Sequence, residues 1–197
     1  MKKSAFYIFI ITLLLQYHLL HAQQISNGFS MPESITSNGK RFFVSNQGQE
    51  PMSKDGDGFI SEIDAGGKII NLKFAPKTDV LNAPKGLVIA GNILYVADLE
   101  RIVGFDINSG QTVFELTIPG AKLLNDLCKI DDKTIAVTET VSSKVYSVDV
   151  QNKTIQLLGD VPFPNGVAYN PNTKALYICT VGENYGEGNL YVKTFEK

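Results

Sequence analysis

Histidine is almost missing from this 197-residue chain, and its two copies, His18 and His21, both fall near the start. Residues 1–22 read as a removable segment. Lys2 and Lys3 are followed by a nearly unbroken apolar run from Ala5 to Leu20, and Ala22 offers a small residue before a cut. A basic start with roughly 15 apolar residues is the pattern of a secretory signal peptide; a membrane span wants about 20. The expected mature chain, residues 23–197, then has no histidine. That excludes a Ser-His-Asp triad, a zinc site built on imidazole and a histidine general base. Any hydrolytic chemistry falls to carboxylates, amides, lysine or an oxygen-ligated metal.

Positive charge and cysteine are scarce too. Without Lys2 and Lys3 the chain carries 16 basic against 20 acidic side chains, a balance of −4. Nothing in that balance suggests a nucleic-acid partner. The expected location is the periplasm or the extracellular space, with no membrane association once the signal is gone. Only Cys128 and Cys179 are present. Such a pair can bridge in an oxidising compartment. Their places in neighbouring repeats, on strands of different depth, favour two small buried apolar side chains instead.

Helical stripes are the third absence. No segment keeps a helical apolar period over about 12 residues, and the apolar segments alternate with period two. Four stretches are alike: MPESITSNGKRFFVSN (31–46), APKGLVIAGNILYVAD (83–98), LLNDLCKIDDKTIAVTE (123–139) and FPNGVAYNPNTKALYICT (163–180). Each is a polar pair, a short apolar strand, a turn and a second apolar strand. A third strand follows each time: GFISEID, RIVGFD, KVYSVD and NLYVKTF. The first three continue into a fourth: IINLKF, TVFELTI and IQLLG. Asp64, Asp106 and Asp149 mark the period, and Asp98, Asp106 and Asp149 read as strand-end and turn residues, Asp98 alternatively as a rim or ligand-contact acid.

A period near 40 with four short antiparallel strands is the signature of a β-propeller blade. One blade buries its two apolar faces only by packing against the next. The expected fold is all-β: a β-propeller domain over 23–197 with about four four-stranded blades, at 31–76, 81–120, 121–160 and 161–197. The repeats fit part of a six-bladed propeller. Alternatively they fit a closed four-bladed ring, with ISNGFS (25–30) supplying the outer strand of blade four. An incomplete ring would leave an apolar face open to self-association.

The stretch LYVADLERIVGFDINSG (94–110) resembles the NHL repeat. The four blade openings resemble the six-bladed family of senescence marker protein, gluconolactonase and luciferin-regenerating enzyme. That family sets divalent-metal ligands at the start of its innermost strands: a Glu in the first blade, Asn in the third and fourth, and an Asp in the fifth. The resemblance implies Glu33, Asn125 and Asn165 as ligands of Ca²⁺, Mg²⁺, Mn²⁺ or Zn²⁺. It implies lactonase-like hydrolysis of a sugar lactone or small ester. The fifth-blade Asp has no counterpart in these residues, which leaves the enzyme assignment open.

Lys85 opens blade two at the matching place. With Asp126 and Asp98 it is a candidate for contact with a small-molecule ligand or substrate. Asn46, Asp98, Glu100, Glu139 and Glu183 would form a cation-concentrating rim. For Asn125 and Asn165 the alternative is turn chemistry, in which the amide bonds its own backbone. Asp126 is expected to hold a neighbouring backbone amide.

Two other functions stay open: a non-enzymatic propeller that binds a ligand or a protein, and a calcium-binding loop at SKDGDGFISEID (53–64). That stretch has EF-hand-like spacing at Asp55, Asp57, Gly58 and Asp64. Its flanks look like strands and position 12 is not a glutamate, so the plainer reading is an acidic turn.

Overall fold

The computed structural model describes residues 27–183 and 186–195. Residues 1–22, the expected signal peptide, lie outside these residues. Fifteen strands form four antiparallel sheets, with no helix among the described residues. The first sheet is β1 (Pro32–Ser37), β2 (Arg41–Asn46), β3 (Phe59–Asp64) and β4 (Ile69–Ala75). The second is β5 (Pro84–Ala90), β6 (Ile93–Asp98), β7 (Arg101–Asp106) and β8 (Thr112–Thr117). The third is β9 (Leu124–Lys129), β10 (Thr134–Glu139), β11 (Lys144–Asp149) and β12 (Thr154–Asp160). The fourth has three strands among the described residues: β13 (Pro164–Asn170), β14 (Ala175–Thr180) and β15 (Leu190–Thr194). Strand order follows chain order in every sheet, so each blade is a meander.

The turns follow local side-chain chemistry. Asp64, Asp106 and Asp149 close the turn after the third strand by accepting backbone N–H groups two to four residues ahead. This is the Asx geometry their spacing predicts. Asp131 and Asn170 do the same between first and second strands.

The core consists of seams between successive blades. Phe43, Phe74, Leu94, Val103 and Phe105 fill the first. Tyr95, Phe114, Leu127, Val137 and Val148 fill the second. Val145, Val161, Val167, Leu176 and Ile178 fill the third. The first strands lie side by side in the order β1, β5, β9, β13 and form the inner wall. Among the described residues no core cluster joins blade four to blade one. Among the described residues the sheets form an arc of four propeller blades.

The N-terminal stretch also departs from the ring alternative. Residues 27–30 form no strand. Ser30 bonds to blade one, donating its N–H to Asn46 Oδ1 at 3.0 Å and its hydroxyl to the Gly48 carbonyl at 2.9 Å. The segment is tied there rather than to blade four.

Candidate functional site

All four inner strands carry the same irregularity. Pairing runs from Pro32↔Asn46 to Ile35↔Val44, and from Pro84↔Asp98 to Leu87↔Val96. It runs from Leu124↔Glu139 to Leu127↔Val137, and from Pro164↔Thr180 to Val167↔Ile178. Each inner strand therefore fits two residues opposite one, which is a β-bulge. The bulged pairs are Glu33-Ser34, Lys85-Gly86, Asn125-Asp126 and Asn165-Gly166. A bulge breaks the alternation and re-aims a side chain. Here it does so at the same height in every blade, at the positions singled out in the sequence.

Cross-links fix these bulges. Ser34 and Asp126 each donate the bulge N–H to a strand-two hydroxyl at 3.0 Å, Ser45 Oγ and Thr138 Oγ1 respectively. Thr138 passes its own proton to the Asn165 carbonyl at 2.6 Å, which ties blade three to blade four. Asp126 completes the tie. Its Oδ1 accepts the Leu127 N–H at 2.8 Å and its Oδ2 accepts the Val167 N–H at 2.9 Å. The expectation that Asp126 holds a backbone amide is met twice over. Burial lifts its carboxyl above the ordinary value, against the pull of those two amides.

Glu33 feels the charges of Lys85 and Asp126. Glu33 is reached by solvent yet walled by protein. Desolvation raises its carboxyl above the usual value, with the Lys85 ammonium lowering it and Asp126 raising it. Lys85 is 6% exposed, and burial depresses its ammonium against the attraction of Glu33 and Asp98. The Asn125 and Asn165 side-chain amides make no hydrogen bond to protein among the described residues. The self-bonded turn geometry proposed for them is absent. Asn125 is 8% exposed.

Lys85 does not lie outward in solvent. Its Nζ donates to Gln47 Oε1 and, at 3.2 Å, to the Pro51 carbonyl. Both acceptors belong to the long loop between β2 and β3. Lys85 is thus a latch that holds this loop above the inner wall. The exposed pair Lys54–Glu100, at 2.6 Å, pins the loop to blade two. Met52 from the same loop meets Leu123, Thr140 and Phe163 around a cavity of about 200 Å³ beside the blade-three and blade-four loops.

The acidic rim is largely a correction. Asn46, Asp98 and Glu139 are each 0% exposed. Each ends the second strand of its blade and captures the chain entering the first strand. Asp98 Oδ1 accepts the Asn82 and Ala83 N–H groups at 2.9 Å, and Glu139 Oε1 accepts those of Lys122 and Leu123 at 3.0 and 2.8 Å. Asp98 Oδ2 also pairs with Arg101 at 3.0 Å. Burial lifts the Asp98 carboxyl, while the guanidinium and the two amides oppose that shift. With both oxygens engaged by protein groups, Asp98 builds the wall. The sequence places Asp98 at a strand end but does not show which amides it caps; the signal is the recurrence of Asn46, Asp98 and Glu139 at the pair flanking the bulge in the first three blades. Glu100 alone of blade two's rim acids stays on the surface.

The acidic loop closes on itself. Asp57 Oδ2 accepts the Gln49 N–H at 3.0 Å, and Asp55 Oδ1 accepts the Asp57 N–H at 3.3 Å. Gly48, at φ +90°, lies so close that a Cβ there would sit 1.6 Å from Asp57 Oδ1. The flanks are strands, as the sequence indicates, so the EF-hand frame is absent. Among the described residues no group of three or more His, Cys, Asp or Glu side chains clusters as a metal site. The donor set Glu33, Asn125 and Asn165 is one carboxylate and two amide oxygens, hard ligands that suit Ca²⁺, Mg²⁺ or Mn²⁺ in kind.

The cysteine expectation holds for one residue only. Both thiols are free; Cys128 is buried and Cys179 is exposed. Cys179 stands opposite the bulge of blade four, on the side that no further blade covers among the described residues.

No protein-family model matches the chain, and no curated protein matches it by sequence. Solved structures do. The chain is similar to hydrazine synthase of Kuenenia stuttgartiensis, with 18% identity, a TM-score of 0.62, and coverage of 87% of this chain and 52% of that one. It is similar to luciferin-regenerating enzyme, with 14% identity, a TM-score of 0.61, and coverage of 83% and 60%. The computationally designed Ika4 protein gives 12% identity and a TM-score of 0.60, over 89% of this chain and 100% of that one. The chain spans about half the length of the hydrazine synthase chain it matches. These likenesses establish the β-propeller fold and nothing finer.

Proposed function

We propose that the protein is an exported, gluconolactonase-like propeller that binds a divalent cation and hydrolyses a sugar lactone or small ester at its axial end. The observation that carries this reading is the fourfold bulge, which sets Glu33, Lys85, Asn125 and Asn165 at one level of the inner wall. The likeness to luciferin-regenerating enzyme supports an enzyme-like scaffold. Glu33 would hold the cation with the free amide oxygens of Asn125 and Asn165. Once bound, the ion would supply Lewis-acid polarisation of a carbonyl. Glu33 gives the site its negative charge, and the Lys85 latch keeps the loop over it. The export of the chain is read from residues 1–22.

A second reading, binding without catalysis, draws on one specific feature. Asp126, the other carboxylate at this level, uses both oxygens on backbone amides. Among the described residues, no second carboxylate at this level is without a backbone partner.

One set of samples separates the readings. Residues 23–197 are titrated with Ca²⁺, Mn²⁺ and Zn²⁺ while thermal stability is followed, for the parent and for Glu33→Ala. An axial site predicts that a cation raises Tm and that the substitution removes the effect. Gluconolactone hydrolysis in the same samples distinguishes enzyme from binding module. An unchanged Tm in every titration would refute the axial metal.

A further inference from the structure

The seam between blades two and three is filled with aromatic side chains, whereas the seam between blades three and four packs an aliphatic cluster and leaves open space beside it. In blade two a row of paired residues, Tyr95↔Gly104↔Phe114, faces the next blade. The Tyr95 and Phe114 rings meet edge to face with centroids 5.3 Å apart. Gly104 makes room for them, since a Cβ there would lie 2.8 Å from the Phe114 Cβ. Val148 of blade three closes the seam at 0% exposure. The same row in blade three reads Ala136↔Ser147↔Gln156. Pairing of Leu176 with Lys193, as of Ile135 with Val148, puts Lys193 in Val148's place. Aromatic rings and a valine are replaced by a methyl, a hydroxyl, an amide and an ammonium.

The space left is a groove. Two adjoining cavities of about 380 and 490 Å³ share Leu158, Lys193 and Thr194 as walls. Thr134, Ser147 and Gln156 line the second, with Ile130 and Phe195 as apolar sides. Ser147 is only 8% exposed. Among the described residues, the Thr134, Ser147 and Thr194 hydroxyls, the Gln156 amide and the Lys193 ammonium make no hydrogen bond or ion pair with protein. The nearby Asp160 carboxylate is taken by Lys144 at 2.9 Å. Sites for small molecules have this size and pair apolar walls with a few convergent polar groups.

We propose that this inter-blade groove binds a small hydroxylated organic anion. The ammonium of Lys193 meets a carboxylate, and the hydroxyls and amide hydrogen-bond the ligand's hydroxyl groups. The apolar sides limit the ligand to a few carbons. The groove lies outside the bulged axial level and is independent of the function proposed there.

The test is a titration of residues 23–197 with L-malate, followed by amide chemical shifts. Saturable shifts are expected at Ser147, Gln156 and Lys193. Succinate, which lacks the hydroxyl, should bind about tenfold more weakly, and so should malate to Lys193→Met. The triple variant Ala136→Tyr, Ser147→Gly and Gln156→Phe copies the filled row; it should abolish binding and raise Tm. Glu33→Gln should leave binding unchanged. Non-saturable shifts, equal affinity for Lys193→Met, or loss of binding in Glu33→Gln would each overturn the proposal. The first outcome means a water-filled seam, and the last means an anion at the axial end.

Discussion

Gly86 touches Asp126 across the inner wall. A Cβ on Gly86 would lie 2.6 Å from the Asp126 Cα and 2.8 Å from the Asn125 carbonyl oxygen. Blades two and three approach this closely because both strands bulge at the same level. The residue after Lys85 must therefore have no side chain, whatever its backbone angles. The Asp126 carboxylate, held by Leu127 and Val167, cannot swing aside without breaking the tie to blade four.

Gly86→Ala should therefore destabilise the protein, since the clash is with backbone. Overpacking of this kind costs about 2 kcal/mol, or roughly 4–8 °C in Tm for a domain of this size. Gly91→Ala is the control for glycine replacement in the same blade, with open space around its Cβ but a φ of +60°. Thermal unfolding by circular dichroism reads both. An unshifted melting curve for Gly86→Ala would mean that the inner strands are not packed as described.

Removal of the wall carboxylates should cost far more than removal of surface ones. Asp98→Ala leaves two backbone N–H groups and the Arg101 Nε–H without their acceptor, a loss of roughly 3 kcal/mol. Glu115 also pairs with Arg101, at 3.1 Å, but its side chain is 52% exposed. Glu115→Ala should cost under about 1 kcal/mol. Urea midpoints of the two variants make the comparison. Equal midpoints would return Asp98 to the ligand-facing role suggested by its sequence position.

Much of the fold is legible in the sequence because period-two strands, Asx turns and the repeat near 40 residues are local signals. Asp64, Asp106 and Asp149 announce their turns within four residues. The site is less legible because its parts meet across blades. The bulges exist only in the register between strands, and single strands such as PKGLVIA give no hint of them. Lys85 finds Gln47 at a separation of 38 residues. Asp98 and Glu139 look like rim acids because sequence shows charge but not the backbone amides that wrap it. The difference between the two seams can be seen in Tyr95, Gly104 and Phe114 against Ala136, Ser147 and Gln156, once pairing has aligned them.

Glu33 gives a pH signature. Burial raises its carboxyl above the ordinary value. The folded protein then holds that proton more tightly than the unfolded chain does. Its contribution favours folding at acid pH and is lost as pH rises through the raised value. Without metal, Glu33→Gln should therefore melt higher than the parent near neutrality. The gap should close as the parent's Glu33 protonates on acidification. Melting curves across a pH series test the sign, and a variant less stable than the parent near neutrality would contradict it.

The Lys85 latch predicts a change in loop exposure. Lys85→Met removes the one ammonium that donates to both Gln47 and Pro51, so the loop between β2 and β3 should become several-fold more sensitive to subtilisin. Lys54→Ala breaks only an exposed pair, 58% and 42% accessible, and such pairs contribute under about 1 kcal/mol. Its cleavage rate should stay near that of the parent. Mass spectrometry of early fragments locates the cut. Matching rates for the two variants would mean that the surface pair, not Lys85, secures the loop.

The two thiols should differ sharply in reactivity. Cys128 is buried on β9, and burial with the nearby Asp126 charge pushes its thiol up to about 12, with the Ala136 backbone hydrogen bond acting the other way. A thiol in that state offers almost no thiolate at neutral pH. Cys179 is exposed on β14 and free. An aromatic disulfide reagent should titrate one thiol in the folded chain and two in guanidinium. The folded-state reaction should vanish in Cys179→Ser and persist in Cys128→Ala. Two fast thiols in the folded parent would mean that the third seam opens readily. None would mean that Cys179 is covered by another blade or another molecule, and a Cys179→Ser variant with altered sedimentation would identify that surface as the contact.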